Sequence, residues 1–228
     1  MTYREDIPGY MSTEDLMSIE ALASCVSEAG TVVEVCSYFG RSAWAWAHSV
    51  RPAVKVYCID PWPGIKGDEV PSTKKKEAAL EEFQDNVKDC PNIIPIKGYS
   101  PEMPWDRNLR PDLVFIDGNH FSPYVDNDLA FWAAQLNSHG ILCGHDFNPL
   151  RWPDVCEAVI RQAGLLKKPF RIFEGSTIWY IELGREKLSP KNREVQIGRI
   201  FIEDMSWAPS PLHIQLIQKI YSSEDTEV

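Results

Sequence analysis

Four groups of polar residues in this sequence stand where an apolar run stops, and their types allow acid–base, diol-binding and anion-binding chemistry. They are Glu34 to Ser42 in Val-Glu-Val-Cys-Ser-Tyr-Phe-Gly-Arg-Ser, Asp60, Asp117-Gly-Asn-His120, and His145-Asp146. A strand-end Asp alone serves as readily as a turn former or helix cap. Four such groups in register with alternating strands and helices point to one crevice, because ligands of open α/β sheets lie outside the carboxyl ends of the strands. Gly40 to Ser42 reads as a strand turning into a helix, whose unpaired N–H groups and positive dipole end attract a carboxylate or phosphate. Asp60 follows Gly40 by 20 residues (60 − 40), near the offset at which a carboxylate meets ribose hydroxyls. The G-x-G-x-x-G fingerprint of dinucleotide sites is absent, since Cys36 and Tyr38 stand where glycines would admit a pyrophosphate. NAD is therefore disfavoured.

The elements that must position these groups follow from periodicity. Ser12 to Asp15 has the form of a capping box, and Leu16, Ile19, Leu22, Ala23 and Val26 recur at helical spacing up to Gly30, which is expected to cap the helix. Strands are expected at 32–36, 54–59, 92–96, 112–116 and 140–144, and helices at 42–50, 74–89, 122–138 (Ser122 as N-cap, Pro123 as first residue) and 155–163. Residues 170–173 and 177–183, split by Glu-Gly-Ser, form a closing antiparallel pair. The fold class is α/β: a doubly wound, Rossmann-like sheet of seven strands, mostly parallel with a C-terminal antiparallel hairpin, and helices on both faces. Three regions result: an N-terminal arm and helix (1–30), the ligand-binding domain (31–183) and a C-terminal appendage (184–228). The arm either folds over the ligand site or is loose. In the appendage a short strand is expected at 196–202 and an amphipathic stretch at 212–221, suited to packing on the domain or on a second copy in a homo-oligomer.

Bulk composition narrows the partners. A length of 228 residues suits one sizeable domain, and a net charge of −10 argues against nucleic-acid binding, leaving a small molecule or a protein as partner. The six cysteines are scattered, without zinc spacing, which suits a reducing, cytoplasmic setting. No apolar run approaches the ~20 residues of a membrane span, and no signal peptide is expected.

With these residues placed, five segments in order, 33–42, 58–62, 98–100, 113–120 and 140–147, resemble class I S-adenosylmethionine-dependent methyltransferases. Among these the chain is most similar to small bacterial enzymes with an Asp-Gly-x-His motif, related to catechol-type and macrocin-type O-methyltransferases. The resemblance implies that Glu34 and the turn containing Ser37, Gly40 and Ser42 hold the methionine part of the cofactor. It further implies that Asp60 holds the ribose, Trp62 covers an adenine face, Ser100 bonds the adenine edge and Asp117 lies beside the methionine moiety. Two departures are visible. Cys36 replaces a frequent Gly, and Phe147 follows Asp146 where catechol-type relatives usually have Asn.

The methyl donor is already activated, so the enzyme mainly aligns a nucleophile and removes its proton. His120 is the candidate base, beside Asp117 as an acidic neighbour; a helix cap or loop contact is its plain alternative. Asp117 and Asp146 match positions that ligate a divalent cation in the metal-dependent relatives, where Mg²⁺ would lower the pKa of a substrate hydroxyl. His145 is open to three roles: a third ligand, a second base or a structural residue. Trp44 and Trp46 cannot share a helix face, so one belongs to the core and the other could line the cofactor rim. Trp152, Phe147 and Trp105 suit either an aromatic substrate wall or a satellite core. The expected activity is methyl transfer to a hydroxyl of a small molecule. The rivals are a nucleotide-dependent oxidoreductase on the same sheet and a non-catalytic cofactor-binding module.

Overall fold

The computed structural model describes residues 3–62 and 79–184. The expected strand at 196–202, the stretch at 212–221 and the start of the 74–89 helix lie outside the described residues. Helix α1 (Thr13–Ala23) opens on Ser12, whose hydroxyl accepts from the Asp15 N–H while the Asp15 carboxylate accepts from the Ser12 N–H. Both halves of the expected capping box are thus present. The helix ends at Ala23, well short of Gly30, which lies instead against the Asp112 carboxylate.

Seven strands follow: β1 (Thr31–Val35), β2 (Lys55–Asp60), β3 (Ile93–Lys97), β4 (Leu113–Ile116), β5 (Ile141–Gly144), β6 (Phe170–Ile172) and β7 (Trp179–Glu182). Between them run α2 (Arg41–Ser49), α3 (Ala79–Asn86), α4 (Tyr124–Gln135) and α5 (Pro153–Leu166). The sheet order is β3-β2-β1-β4-β5-β7-β6, with β7 antiparallel to both neighbours and all other pairs parallel. Pro95 sits in β3 at the sheet edge, where a missing N–H does least harm. Pro123 is the N-cap residue of α4 rather than its first residue, and the Ser122 hydroxyl turns to the Asp126 carboxylate instead of the helix backbone. Among the described residues no helix is long and apolar enough to cross a membrane.

Strand alternation divides the core. Val32, Cys58, Phe115 and Cys143 pack towards α1 and α2, whereas Val33, Val35, Val114 and Leu142 pack towards α4 and α5. Glu34 lies opposite Cys58 and Phe115 in register, so it shares the buried α2 face although it is acidic. The chain runs outward from β1 to β3 and then returns to β4 on the other side of β1. The carboxyl ends of β1 and β4 therefore diverge into a crevice, the usual ligand position in such sheets.

Gly144 closes β5 where no side chain fits: a Cβ there would lie 2.4 Å from the Ile116 carbonyl oxygen and 2.6 Å from the Trp179 ring. Gly144→Ala is expected to destabilise the fold by about 2 kcal/mol or more, because the clash is with backbone. Urea denaturation measures this loss directly.

Candidate functional site

A cavity of about 640 Å³ opens at the crevice. Its walls come from the N-terminal arm (Pro8 to Met11), the β1–α2 turn (Cys36 to Tyr38 and Ser42), the β4 exit (Asp117, Gly118, His120), the β5 exit (His145, Asp146) and the β6–β7 turn (Gly175 to Thr177). Arg151 and Trp152 complete it at the start of α5. The arm thus folds over the site, and Arg41 fastens it there. Its guanidinium donates to the carbonyls of Ile7 at 2.7 Å, Met11 at 2.9 Å and Glu5 at 2.9 Å.

The β1–α2 turn is built without the glycine expected by analogy at position 36. Cys36 takes a φ of 71° and Tyr38 one of 48°, both left-handed, a strain of roughly 1–2 kcal/mol per residue. The turn is held by its surroundings: Cys36 N–H donates to the Ile59 carbonyl at 2.7 Å, and Tyr38 N–H to the Asp60 carboxylate at 2.8 Å. Gly40, with φ 92°, is the N-cap of α2 and offers no side chain to the first-turn N–H groups. That helix start remains available for an anion.

Glu34 lies beneath this turn, wholly buried, with neither carboxyl oxygen in good hydrogen-bond geometry to another group among the described residues. Burial raises its pKa to about 7, with Asp117 adding to the rise and the nearby Ser37 and Ser42 hydroxyls opposing it. A buried acid so placed is neutral or charged according to what enters the cavity beside it.

Five further titratable groups converge at the other wall. The His120 Nε2 meets Asp146 Oδ2 at 2.6 Å, and its ring stacks on Trp152 with centroids 4.1 Å apart. His145 Nδ1 lies 3.4 Å from Asp117 Oδ1 and 3.3 Å from Asp146 Oδ2, while its Nε2 lies 3.2 Å from Asp15 Oδ2. Burial alone would lower the His145 pKa, but hydrogen bonds to Asp117, Asp146 and Asp15 raise it far above the usual range. For Asp146, burial acts upward and is outweighed by the two histidines, which hold it well below the ordinary carboxylate value. Asp117 is raised by burial despite His145. The three carboxylate contacts favour the imidazolium form of His145, in which neither ring nitrogen can accept a proton.

The ligand atoms of Asp117, His145 and Asp146 all lie within 4.8 Å of one another, so they fit a single divalent cation. Occupation would require Nδ1 of His145 to release its proton, as metal ligation normally does.

Three residues expected on the adenosine side do not line the cavity. Asp60 spends its oxygens on the N–H groups of Tyr38 and Trp62, at 2.8 and 2.7 Å. Trp62 is buried against Phe83, its indole N–H on the Tyr38 carbonyl at 2.9 Å. The Ser100 hydroxyl accepts from Trp132 Nε1 at 2.8 Å and lies near the buried Asp128. All three brace the loops around the site. Trp44 and Trp46 are both core residues, so neither forms a cofactor rim. Asp15, Ser176 and Thr177 were not legible as site residues: the capping box fully accounts for an acid at position 15, and a Gly-Ser-Thr turn looks like any hairpin turn.

Residues 33–147 match the family described as a methyltransferase domain. No curated protein matches the chain. The fold is similar to that of CalS11, a TDP-rhamnose 3'-O-methyltransferase of calicheamicin biosynthesis (19% identity, 75% of this chain and 79% of that one, TM-score 0.57). It is also similar to the O-methyltransferase NovP (17% identity, 75% and 80%, TM-score 0.56). A third likeness is to an RNA methyltransferase from Salinibacter ruber in complex with S-adenosyl-L-homocysteine (16% identity, 78% and 95%, TM-score 0.50).

The Glu34 carboxyl makes its own prediction. In the unfolded chain it ionises near its ordinary value of 4.5, whereas the folded protein keeps the proton until about 7. The folded state binds more protons in that window, so this group's contribution to stability falls as pH rises from 4.5 to 7, by about 3 kcal/mol, and is constant above. Glu34→Gln should remove that part of the slope in denaturation curves recorded at pH 4.5 and 7.5.

Proposed function

Because the chain belongs to the methyltransferase-domain family, we propose that it transfers the methyl group of S-adenosylmethionine to a hydroxyl of a small molecule, with His120 as the general base. The observation that carries this reading is the meeting, in one cavity, of an uncapped helix start and a histidine oriented by a carboxylate, with the Glu34 carboxyl buried beneath that turn and outside the cavity lining. The α2 N–H groups and the Ser42 hydroxyl suit the cofactor's carboxylate, and Glu34 suits its ammonium, whose positive charge would lower the pKa of the buried acid so that it releases its proton to water. O-methylation is supported by two structural neighbours whose names specify it.

When bound, the cofactor supplies a methyl on a positively charged sulfur that leaves as a neutral thioether. The chain's own residues have less to do. Asp146 accepts from His120 Nε2–H, which fixes the tautomer and leaves Nδ1 free to take the proton of the attacking hydroxyl. The Trp152 ring holds the imidazole flat against the cavity wall and offers an apolar surface to the acceptor. Arg41, by pinning residues 5 to 11, keeps bulk water from one side of the reaction.

Mg²⁺ belongs to the same reading. Asp117 and Asp146 would hold it, with His145 as the nitrogen ligand, and it would lower the pKa of a coordinated hydroxyl.

Calorimetric titration with S-adenosylmethionine and S-adenosylhomocysteine tests the core of this reading, and the absence of binding by both would sink it. His120→Ala is expected to reduce kcat about 10²–10⁴-fold while leaving cofactor affinity within about twofold. Turnover should fall on treatment with a chelator and return with Mg²⁺; chelator-insensitive turnover would remove the metal and leave His120 as base. A variant lacking the imidazole but fully active in methyl transfer would remove that base.

A further inference from the structure

We propose that Asp15 is a positioning residue for the reaction: it holds the His145 ring by Nε2–H and so fixes Nδ1 towards Asp117 and Asp146. This rests on the methyltransferase reading for its kinetic consequence alone. Asp15 lies outside the matched region 33–147 and 130 residues from His145 in sequence. In the fold it is 5% exposed and joins three segments. Its Oδ2 accepts from the Ser12 N–H at 2.9 Å, the Ser12 hydroxyl at 2.8 Å and His145 Nε2 at 3.2 Å. Its Oδ1 accepts from the Ser176 hydroxyl at 2.6 Å and the Thr177 N–H at 3.3 Å.

A helix cap requires only the contact with Ser12 and works at the surface. The remaining contacts have no capping purpose. They make Asp15 the only described carboxylate on the Nε2 edge of His145, opposite the pair on the Nδ1 edge. An imidazole can turn end for end about its Cβ–Cγ bond, so a partner on one nitrogen decides what the other nitrogen faces. The backbone is already fixed, because Trp179 Nε1 donates to the His145 carbonyl at 3.2 Å and the His145 N–H donates to Ile116 at 3.1 Å. Only the ring remains to be set. The Ser176 hydroxyl is itself held, accepting from the Ile178 N–H at 2.9 Å, so Asp15 is oriented from the hairpin side as well.

The test reads the ring before it reads turnover. In ¹⁵N-labelled, ligand-free protein, His145 is expected to show a slowly exchanging Nε2–H proton, lost in Asp15→Asn. Ser12→Ala removes the cap without touching His145 and should leave that signal in place. Asp15→Glu, which keeps a favoured capping-box residue but displaces the carboxylate by one methylene, should shift the signal and guards against a misfolded Asn variant. In turnover, Asp15→Asn should lower kcat roughly 10–100-fold with the cofactor KM changed less than about twofold, and this loss should largely vanish in a His145→Ala background. An unaltered ring signal in both Asp15 variants overturns the proposal, as does a kcat loss that persists undiminished without His145. If the wild-type protein transfers no methyl group, the function above fails, and the ring signal alone decides the role of Asp15.

Discussion

Carboxyl groups gathered at one end of a buried sheet are the constraint on which this structure depends. Glu34, Asp117 and Asp146 leave adjacent strands, and Asp15 reaches them from α1. An unpaired buried carboxylate costs several kcal/mol, so each needs a cation, a donor set or a proton. His145 serves three of them with one ring. Glu34, out of its reach, is left to keep its proton. The charge arrangement is therefore uneven, with a satisfied wall around His145 and an unsatisfied carboxyl behind the β1–α2 turn.

The same end of the sheet carries the backbone strain. Cys36 and Tyr38 after β1 and Asp146 after β5 adopt left-handed conformations, and all three line the cavity. Such residues persist only where neighbours over-determine them. Here those neighbours are Asp60 and Ile59 for the β1 turn, and, for the β5 exit, Trp179 packed against a position only Gly144 can occupy. Asp60, expected from its spacing to meet a ribose, shows how one carboxylate can support the turn. A diol entering there would have to compete for oxygens now committed to two backbone N–H groups.

What could be read from the sequence follows from which signals are local. Strand runs such as Leu113–Ile116 and the Ser12–Asp15 cap declare themselves within a few residues, and the seven-strand sheet with its antiparallel end followed from their order. Glu34, Asp117 and the His145-Asp146 pair were legible as candidates because they end or interrupt apolar runs, and His120 because it follows Asp117 by three residues at a strand end. Gly30 misled because a glycine after a helical pattern looks like a cap, whereas this one makes room for Asp112. The engagement of Ser100 with Trp132, like that of Trp62 with Phe83, depends on helices packing across the sheet and leaves no local trace. Asp15 was hidden for a different reason: a sufficient local explanation masked its second, long-range one.

The N-terminal segment is therefore part of the site's architecture. Arg41 leaves the start of α2 to hold residues 5 to 11, and Asp15 leaves α1 to hold the ring at the opposite wall. Each link spans the cavity edge, so displacement of the arm would expose both the strained turn and the imidazolium to water. A guanidinium bonded to three carbonyls makes no ion pair with a carboxylate among the described residues, so this fastening depends little on protonation and only weakly on salt. The His145 wall has the opposite character, an ion cluster whose strength depends on exclusion of solvent. The arm supplies that exclusion. Its attachment through neutral carbonyls keeps the closure of the cavity independent of the charges that the cavity is built to handle.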